Sequence, residues 1–201
     1  MAEYNIKIVL LGEARVGKTS LIKAFMGLNF NSKEESTKNE NNYSRIIELN
    51  NKKLNICLWD TMGQEQYRST TKGLIKNSSI VIFVYDITNR ASFLELKYWV
   101  GAATEELGNE EVVFGVAENK IDLFTENEVE TTEAEVYAEK QIKGLFCETS
   151  AKDNPLGFED FVKELLEKLM SKPKVMEKLR NNKNKNLKIK NSNKQKGKSC
   201  C

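Results

Sequence analysis

The sequence predicts an α/β fold: a mostly parallel, six-stranded sheet with helices on both faces. Three observations predict it. Short, uninterrupted apolar runs recur along the chain and read as strands buried on both sides. Helical stretches alternate with them. Glycine-rich and polar segments fall where those strands end, and ligands of doubly wound sheets sit at the carboxyl ends of strands. A length of 201 residues fits one such domain and an extension.

The elements follow in order. Ile6–Leu11 is an apolar run that stops at Gly12 and reads as a buried strand. Residues 19–26 read as a helix ended by Gly27, and residues 31–42 as a long polar loop. Long loops inside compact domains are often functional. Residues 43–49 and 54–59 form a hairpin around Asn50-Asn51-Lys52-Lys53. Residues 80–85 and 112–116 are buried-strand runs, with a helix near 91–106 between them. A helix near 131–141 precedes a short strand at 144–147. An amphipathic helix closes the body over 155–170, with Pro155 suited to its first turn.

Charge divides the chain at residue 171. Residues 172–201 hold eleven Lys/Arg and one acid, Glu177, for a net +10. Residues 1–171 hold 20 basic and 28 acidic residues, for a net −8. The expected domains are therefore a body over 1–171 and a disordered basic tail over 172–201. As a flexible coil, that tail would span roughly 30 Å. An acidic body counts against nucleic acid as its partner. The tail has no aromatic residue to stack on bases, which counts against RNA. Cys57 and Cys147 sit in apolar runs and read as small buried hydrophobes. The start Met1-Ala2-Glu3 carries no apolar signal region and no acceptor glycine for myristoylation. The expected site of membrane contact is the C-terminus.

Four motifs carry the chemistry. Gly12-Glu13-Ala14-Arg15-Val16-Gly17-Lys18-Thr19 follows a strand and opens a helix. That is the context in which backbone N–H groups close around phosphate oxygens, with Ser20 continuing the helix start. Lys18 supplies a point charge for the β- and γ-phosphates, and the Thr19 hydroxyl suits Mg²⁺. Asp60 ends an apolar strand in Trp59-Asp60-Thr61-Met62-Gly63-Gln64-Glu65, where an acid serves either a turn or a metal. In Asn119-Lys120-Ile121-Asp122, the Asp122 carboxylate can accept from a purine N1–H and 2-amino group together. Adenine has no 2-amino group, so this residue would select guanine. Thr149-Ser150-Ala151-Lys152 follows the next strand, where a backbone N–H could meet the guanine oxygen.

In this order, over residues 5–170, the motifs resemble the Ras-like small GTPases with their P-loop G-domain fold. Tyr85-Asp86-Ile87-Thr88-Asn89 with Ser92, Phe93 and Trp99, the segment Leu54–Asp60, and the final Cys200-Cys201 look like the Rab branch. Gly12-Glu13 and Phe30-Asn31 look most like its endosomal members.

The resemblance implies roles. Phe30, Asn119, Lys120, Asp122, Ser150, Ala151 and Lys152 would surround the guanine. Thr19 and Thr37 would ligate Mg²⁺, and Asp60 would hold it through water. Gly63 would contact the γ-phosphate. Gln64 would orient the attacking water. Loops 31–42 and 61–76 would be switches that γ-phosphate orders. The expected function is a GTP-hydrolysing switch with a slow intrinsic rate that recruits effectors in vesicle traffic. Its expected partners are an exchange factor, an activating protein, effectors, Rab escort and prenyltransferase machinery, and a dissociation inhibitor.

Lys198-Ser199-Cys200-Cys201 is not a CaaX ending. It resembles the double-cysteine ending that carries a geranylgeranyl group on each thiol, and two chains anchor stably where one is marginal. The expected location is the cytosol and the cytoplasmic face of intracellular membranes of the endosomal kind.

Several residues depart from the family pattern. Thr37-Lys38-Asn39-Glu40-Asn41-Asn42-Tyr43 is polar where Rab proteins carry a small apolar stretch. Met62 stands in place of the usual Ala beside Gln64, and Ala14 in place of Gly or Ser. Gly73-Leu74-Ile75 stands where many Rab proteins carry a Tyr pair.

Overall fold

A computed structural model describes residues 4–31, 41–61 and 68–179, the side chains of 68–71 excepted. Thr37, Met62, Gly63, Gln64, Cys200 and Cys201 lie outside the described residues. The strands are β1 (Tyr4–Leu11), β2 (Asn41–Leu49), β3 (Lys52–Asp60), β4 (Ile80–Asp86), β5 (Val113–Asn119) and β6 (Leu145–Thr149). They form one six-stranded sheet in the order β2-β3-β1-β4-β5-β6. Only the β2–β3 pair is antiparallel. The expected fold is the observed one.

The apolar runs are strands because both their faces are covered. Ile6, Ile8 and Leu10 of β1 point into one core, with Leu21, Phe25, Phe158 and Leu165. Val9 and Leu11 point into the other, with Phe83, Trp99 and Ala138. Strand β4 is buried at all seven positions. A strand with no wet face needs no polar alternation, hence its uninterrupted run of hydrophobes.

Helices α1 (Lys18–Phe25) and α6 (Pro155–Met170) cover the first face. Asn154 caps α6 by accepting the Gly157 N–H at 3.0 Å, and Pro155 occupies the first turn. The second face carries α3 (Arg90–Leu94), α4 (Leu96–Leu107) and α5 (Thr131–Val136), while α2 (Arg68–Ile75) packs beside α4. The single helix expected near 91–106 is divided at Glu95. The one near 131–141 widens into a π turn over Tyr137–Ile142. The β2–β3 turn is tighter than the four residues expected. Asn50 (φ 50°) and Asn51 (φ 59°) make it alone. Two successive left-handed residues match the twist of a hairpin, and Asn tolerates that conformation.

The boundary expected at 171 is corrected. Residues 173–179 form a further helix, α7. Its Val175, Met176 and Leu179 are buried in the core that α6 shares. Lys172 Nζ donates to the Val112 carbonyl at 3.0 Å, and Lys174 and Lys178 pair with Glu111 and Glu110. The body thus extends through 179. Exposed ion pairs contribute little, so burial of the three apolar chains holds α7.

Replacing Met176 with Ala should cost about 2 kcal/mol in urea unfolding of the nucleotide-loaded protein. Glu177→Ala, on the exposed face of the same helix, should stay within about 0.5 kcal/mol. Equal effects of the two would mean that α7 does not pack as described.

Candidate functional site

The strand order places a topological switch between β1 and β4. Chain leaving β1 reaches β3 on one side, and chain leaving β3 reaches β4 on the other. Loops diverging there open a crevice at the carboxyl edge of the sheet. The loop from Gly12 to Gly17 lies in it.

Its two glycines are required by contact. A Cβ on Gly12 (φ 147°) would sit 2.1 Å from the Val84 carbonyl oxygen. One on Gly17 (φ 97°) would sit 2.2 Å from Asn119 Nδ2. The loop is therefore wedged between β4 and the β5 terminus. Arg15 takes a left-handed conformation (φ 66°) at its exposed turn. Gly17 then starts α1, accepting the Leu21 N–H at 2.9 Å. Ser20 lies in the first turn, among N–H groups that helix geometry leaves facing an anion.

Lys18 is folded back under the loop and only 5% exposed. Its ammonium donates to the carbonyls of Gly12 (2.9 Å) and Glu13 (2.7 Å). Burial lowers its pKa to about 8, against the opposing pull of Asp60 and Glu13. A polyanion in the cradle would restore the charge. Thr19 Oγ1 donates to Asp60 Oδ2 at 2.7 Å, so the β3 terminus and the start of α1 converge there. Beside it, Thr61 Oγ1 ties the next loop to the Leu10 carbonyl at 2.6 Å.

The second half of the site lies beyond β5 and β6. Asp122 Oδ1 accepts from Ser150 Oγ at 2.6 Å, and Lys152 Nζ lies 3.7 Å from Asp122 Oδ2. Ser150 Oγ itself accepts the N–H groups of Lys152 (3.2 Å) and Asp153 (2.9 Å). Two motifs 28 residues apart thus form one structure. Ala151 is buried within it. Lys120 takes a left-handed conformation (φ 68°) and its ammonium pairs with Asp86 of β4. Phe30 is 44% exposed at the end of the loop that follows α1.

Asn119 faces the other way. Its Nδ2 donates to the Val16 carbonyl at 2.8 Å, and its Oδ1 accepts from Thr149 Oγ1 at 3.3 Å. It joins the phosphate loop to the base-side loops. Sequence reasoning missed Thr149 in this strut and the link from Trp99 Nε1 to Glu13 Oε1 at 3.0 Å. Neither contact has a local sequence signal, because each joins residues far apart in the chain.

Reasoning from sequence also missed Glu118, one residue before Asn119. It is 1% exposed on β5, in register with Tyr85 on β4 and Glu148 on β6. Burial raises its pKa to about 7. The Thr131 hydroxyl, bonded to it at 3.3 Å, pulls the other way. Glu148 raises the value further, and the Tyr85 hydroxyl lowers it. The Cys147 thiol, pushed up by its own burial, adjoins the same layer. A folded-state pKa above the unfolded value means that the native state holds the extra proton. Stability should then fall as pH rises from about 4.5 through 7, and level off above. Glu118→Gln should stabilise the protein by about 3 kcal/mol at pH 8 and by less than about 1 kcal/mol at pH 5. Urea midpoints at the two pH values check this; a gain equal at both would exclude titration of Glu118.

Comparison with known proteins agrees with this geometry. Residues 7–171 match the model of the Ras family. The chain is 36% identical to Ras-related protein Rab-21 of Homo sapiens over 179 residues, covering 89% of this chain and 78% of the relative. It is equally similar to the Rab-21 of Bos taurus, at 36% over 179 residues, 89% of this chain and 79% of that one. With Ras-related protein Rab-11C of Dictyostelium discoideum the identity is 36% over 150 residues, 75% of this chain and 66% of the relative. The chain therefore belongs to the Ras family, as a Rab-type small GTPase: a GTP-binding and GTP-hydrolysing switch of vesicle trafficking.

Proposed function

We propose that the crevice holds the guanine nucleotide in two parts, phosphates in the Gly12–Ser20 cradle and the base against Asp122. The observation that carries this reading is the Ser150–Asp122 contact at 2.6 Å. It fixes a nearly buried carboxylate at the strand ends, on the same rim as Lys18. A hydrogen-bonded carboxylate is preorganised to accept two donors from one base edge, and an unmatched base leaves it unpaired. Lys152 and Ala151 border that edge, and Phe30 covers the ring from the open side.

The pairing of Thr19 Oγ1 with Asp60 Oδ2 supports a Mg²⁺ site. Both are hard oxygen donors, the kind that suits Mg²⁺. Thr19 would ligate the ion directly, Asp60 through water, and Thr37 from the first switch. When bound, Mg²⁺ neutralises charge on the β- and γ-phosphates. Lys18 adds its ammonium to the same oxygens, and Gly63 adds an N–H. Gln64 positions the water that attacks the γ-phosphorus. Residues 31–42 and 61–76, which are not loops throughout because β2 begins at Asn41 and α2 spans Arg68–Ile75, then report the state of the site to an exchange factor, an activating protein and effectors.

The membrane contact is assigned to the C-terminus. Residues 180–201 carry eight Lys/Arg and no acid, and end in Cys200-Cys201. We assign geranylgeranyl groups to both thiols, with Rab escort and prenyltransferase machinery to attach them and a dissociation inhibitor to extract the protein. Basic residues add attraction to anionic lipid of on the order of 1 kcal/mol each, screened by salt. The resulting location is the cytosol and the cytoplasmic face of intracellular membranes, those of the endosomal system in particular.

Asp122→Asn should lower GTP affinity by at least about tenfold and improve binding of xanthosine nucleotides. Unchanged GTP affinity in a direct titration would remove Asp122 from the base site. Cys200→Ser combined with Cys201→Ser should release the protein to the cytosol despite its basic tail. Native protein found on membranes with both thiols unmodified by mass spectrometry would overturn the anchoring.

A further inference from the structure

Trp99 stands on α4 with 1% of its surface exposed, among the residues that pack on Val9, Leu11 and Phe83. Its indole N–H reaches Glu13 Oε1 at 3.0 Å, a side-chain bond across 86 residues of chain. An indole has one donor and no acceptor. Spent on a carboxylate, that donor makes a charge-assisted bond, stronger and more directional than a neutral one.

Glu13 is an awkward residue for its position. It is the second residue of the loop that closes on phosphates, and its own carbonyl lies 2.7 Å from the Lys18 ammonium. An unrestrained carboxylate at that point would be drawn toward Lys18. It would then compete with the phosphates for the ammonium and repel their oxygens. Trp99 is fixed by packing on the β4 side, so it can hold the carboxylate against α4 without moving itself.

We infer that Trp99 is a positioning residue of the phosphate loop, whose indole N–H keeps the Glu13 carboxylate off the cradle and thereby sets how long nucleotide is retained. This inference rests on the reading of Gly12–Ser20 as the phosphate cradle. It makes the Glu13–Trp99 pair a control on nucleotide release that lies outside both switches.

A double-mutant cycle on the full-length protein tests it, with release of the fluorescent analogue mant-GDP as the readout. Trp99→Phe keeps most of the ring volume and removes the donor. In the native background it should speed release by about tenfold, the scale of one charge-assisted hydrogen bond. In a Glu13→Gln background the same replacement should change release less than twofold, because no carboxylate is left to swing. Equal acceleration in both backgrounds would mean that Trp99 acts through packing alone, and would overturn the inference. So would no acceleration in the native background. A second measurement leaves Trp99 in place. With Trp59→Phe, Trp99 becomes the only indole, and its emission should shift on nucleotide release when Glu13 is present and hardly at all with Glu13→Gln. An identical shift in both would also overturn it. Failure of the unmodified protein to retain mant-GDP would defeat the reading of the cradle itself; retention without coupling would defeat only the role of Trp99.

Discussion

One amide joins the two halves of the proposed nucleotide site. Asn119 Nδ2 holds the Val16 carbonyl at 2.8 Å, while the Asn119 backbone begins the loop that carries Lys120 and Asp122. The phosphate loop is pressed against this amide so closely that Gly17 has no room for a Cβ. Thr149 bonds to Asn119 Oδ1 and to the Glu118 carbonyl, at 3.3 and 3.0 Å, bringing the fourth motif into the same strut. Three loops from the ends of β1, β5 and β6 thus share one polar centre. Its groups are buried, so breaking any one bond leaves a desolvated partner behind. That cost keeps the proposed phosphate cradle and base edge at a fixed separation.

Around that centre the charges are arranged for an anion. Lys18 is buried beside loop carbonyls, and that burial lowers its pKa to about 8 despite the pull of Asp60 and Glu13. Glu13, an acid within the cradle loop, is held from behind by an indole. Asp60 at the end of β3 has a hydroxyl partner in Thr19. Each group has a bond within the protein that orients it. Preorganisation of this kind lowers the reorganisation that binding would otherwise require.

The fold was legible because its signals are local. Each central strand needs an unbroken apolar run, and β4 has one across all seven residues. The glycine spacing of the phosphate loop reflects contacts at Gly12 and Gly17 that no side chain could satisfy. What sequence could not show were the partners of polar side chains. Asn119 reads as a base-contacting residue from its motif, yet its amide is directed at the phosphate loop. Trp99 reads as a family mark, yet its N–H meets Glu13. Glu118 looks like a break in a strand, and only the register with Tyr85 and Glu148 explains its raised pKa. Composition also misled at the C-terminus. Lys and Asn dominate the stretch from 172 onward, and the helical spacing of Val175, Met176 and Leu179 is easily lost among them.

That last correction changes the geometry of the whole molecule. Lys172 is bonded to the Val112 carbonyl, just before β5 begins. Lys174 and Lys178 pair with the acids that precede it. Helix α7 therefore clasps the amino-terminal edge of the parallel strands, while the nucleotide loops lie at the carboxyl edge. With α7 docked, 22 residues of the sequence lie beyond the body, from 180 to 201. The two basic residues paired on α7 are engaged with the body, and eight more follow in 180–201. A helix that composition hides thus occupies the edge of the sheet opposite the loops of Lys18 and Asp122.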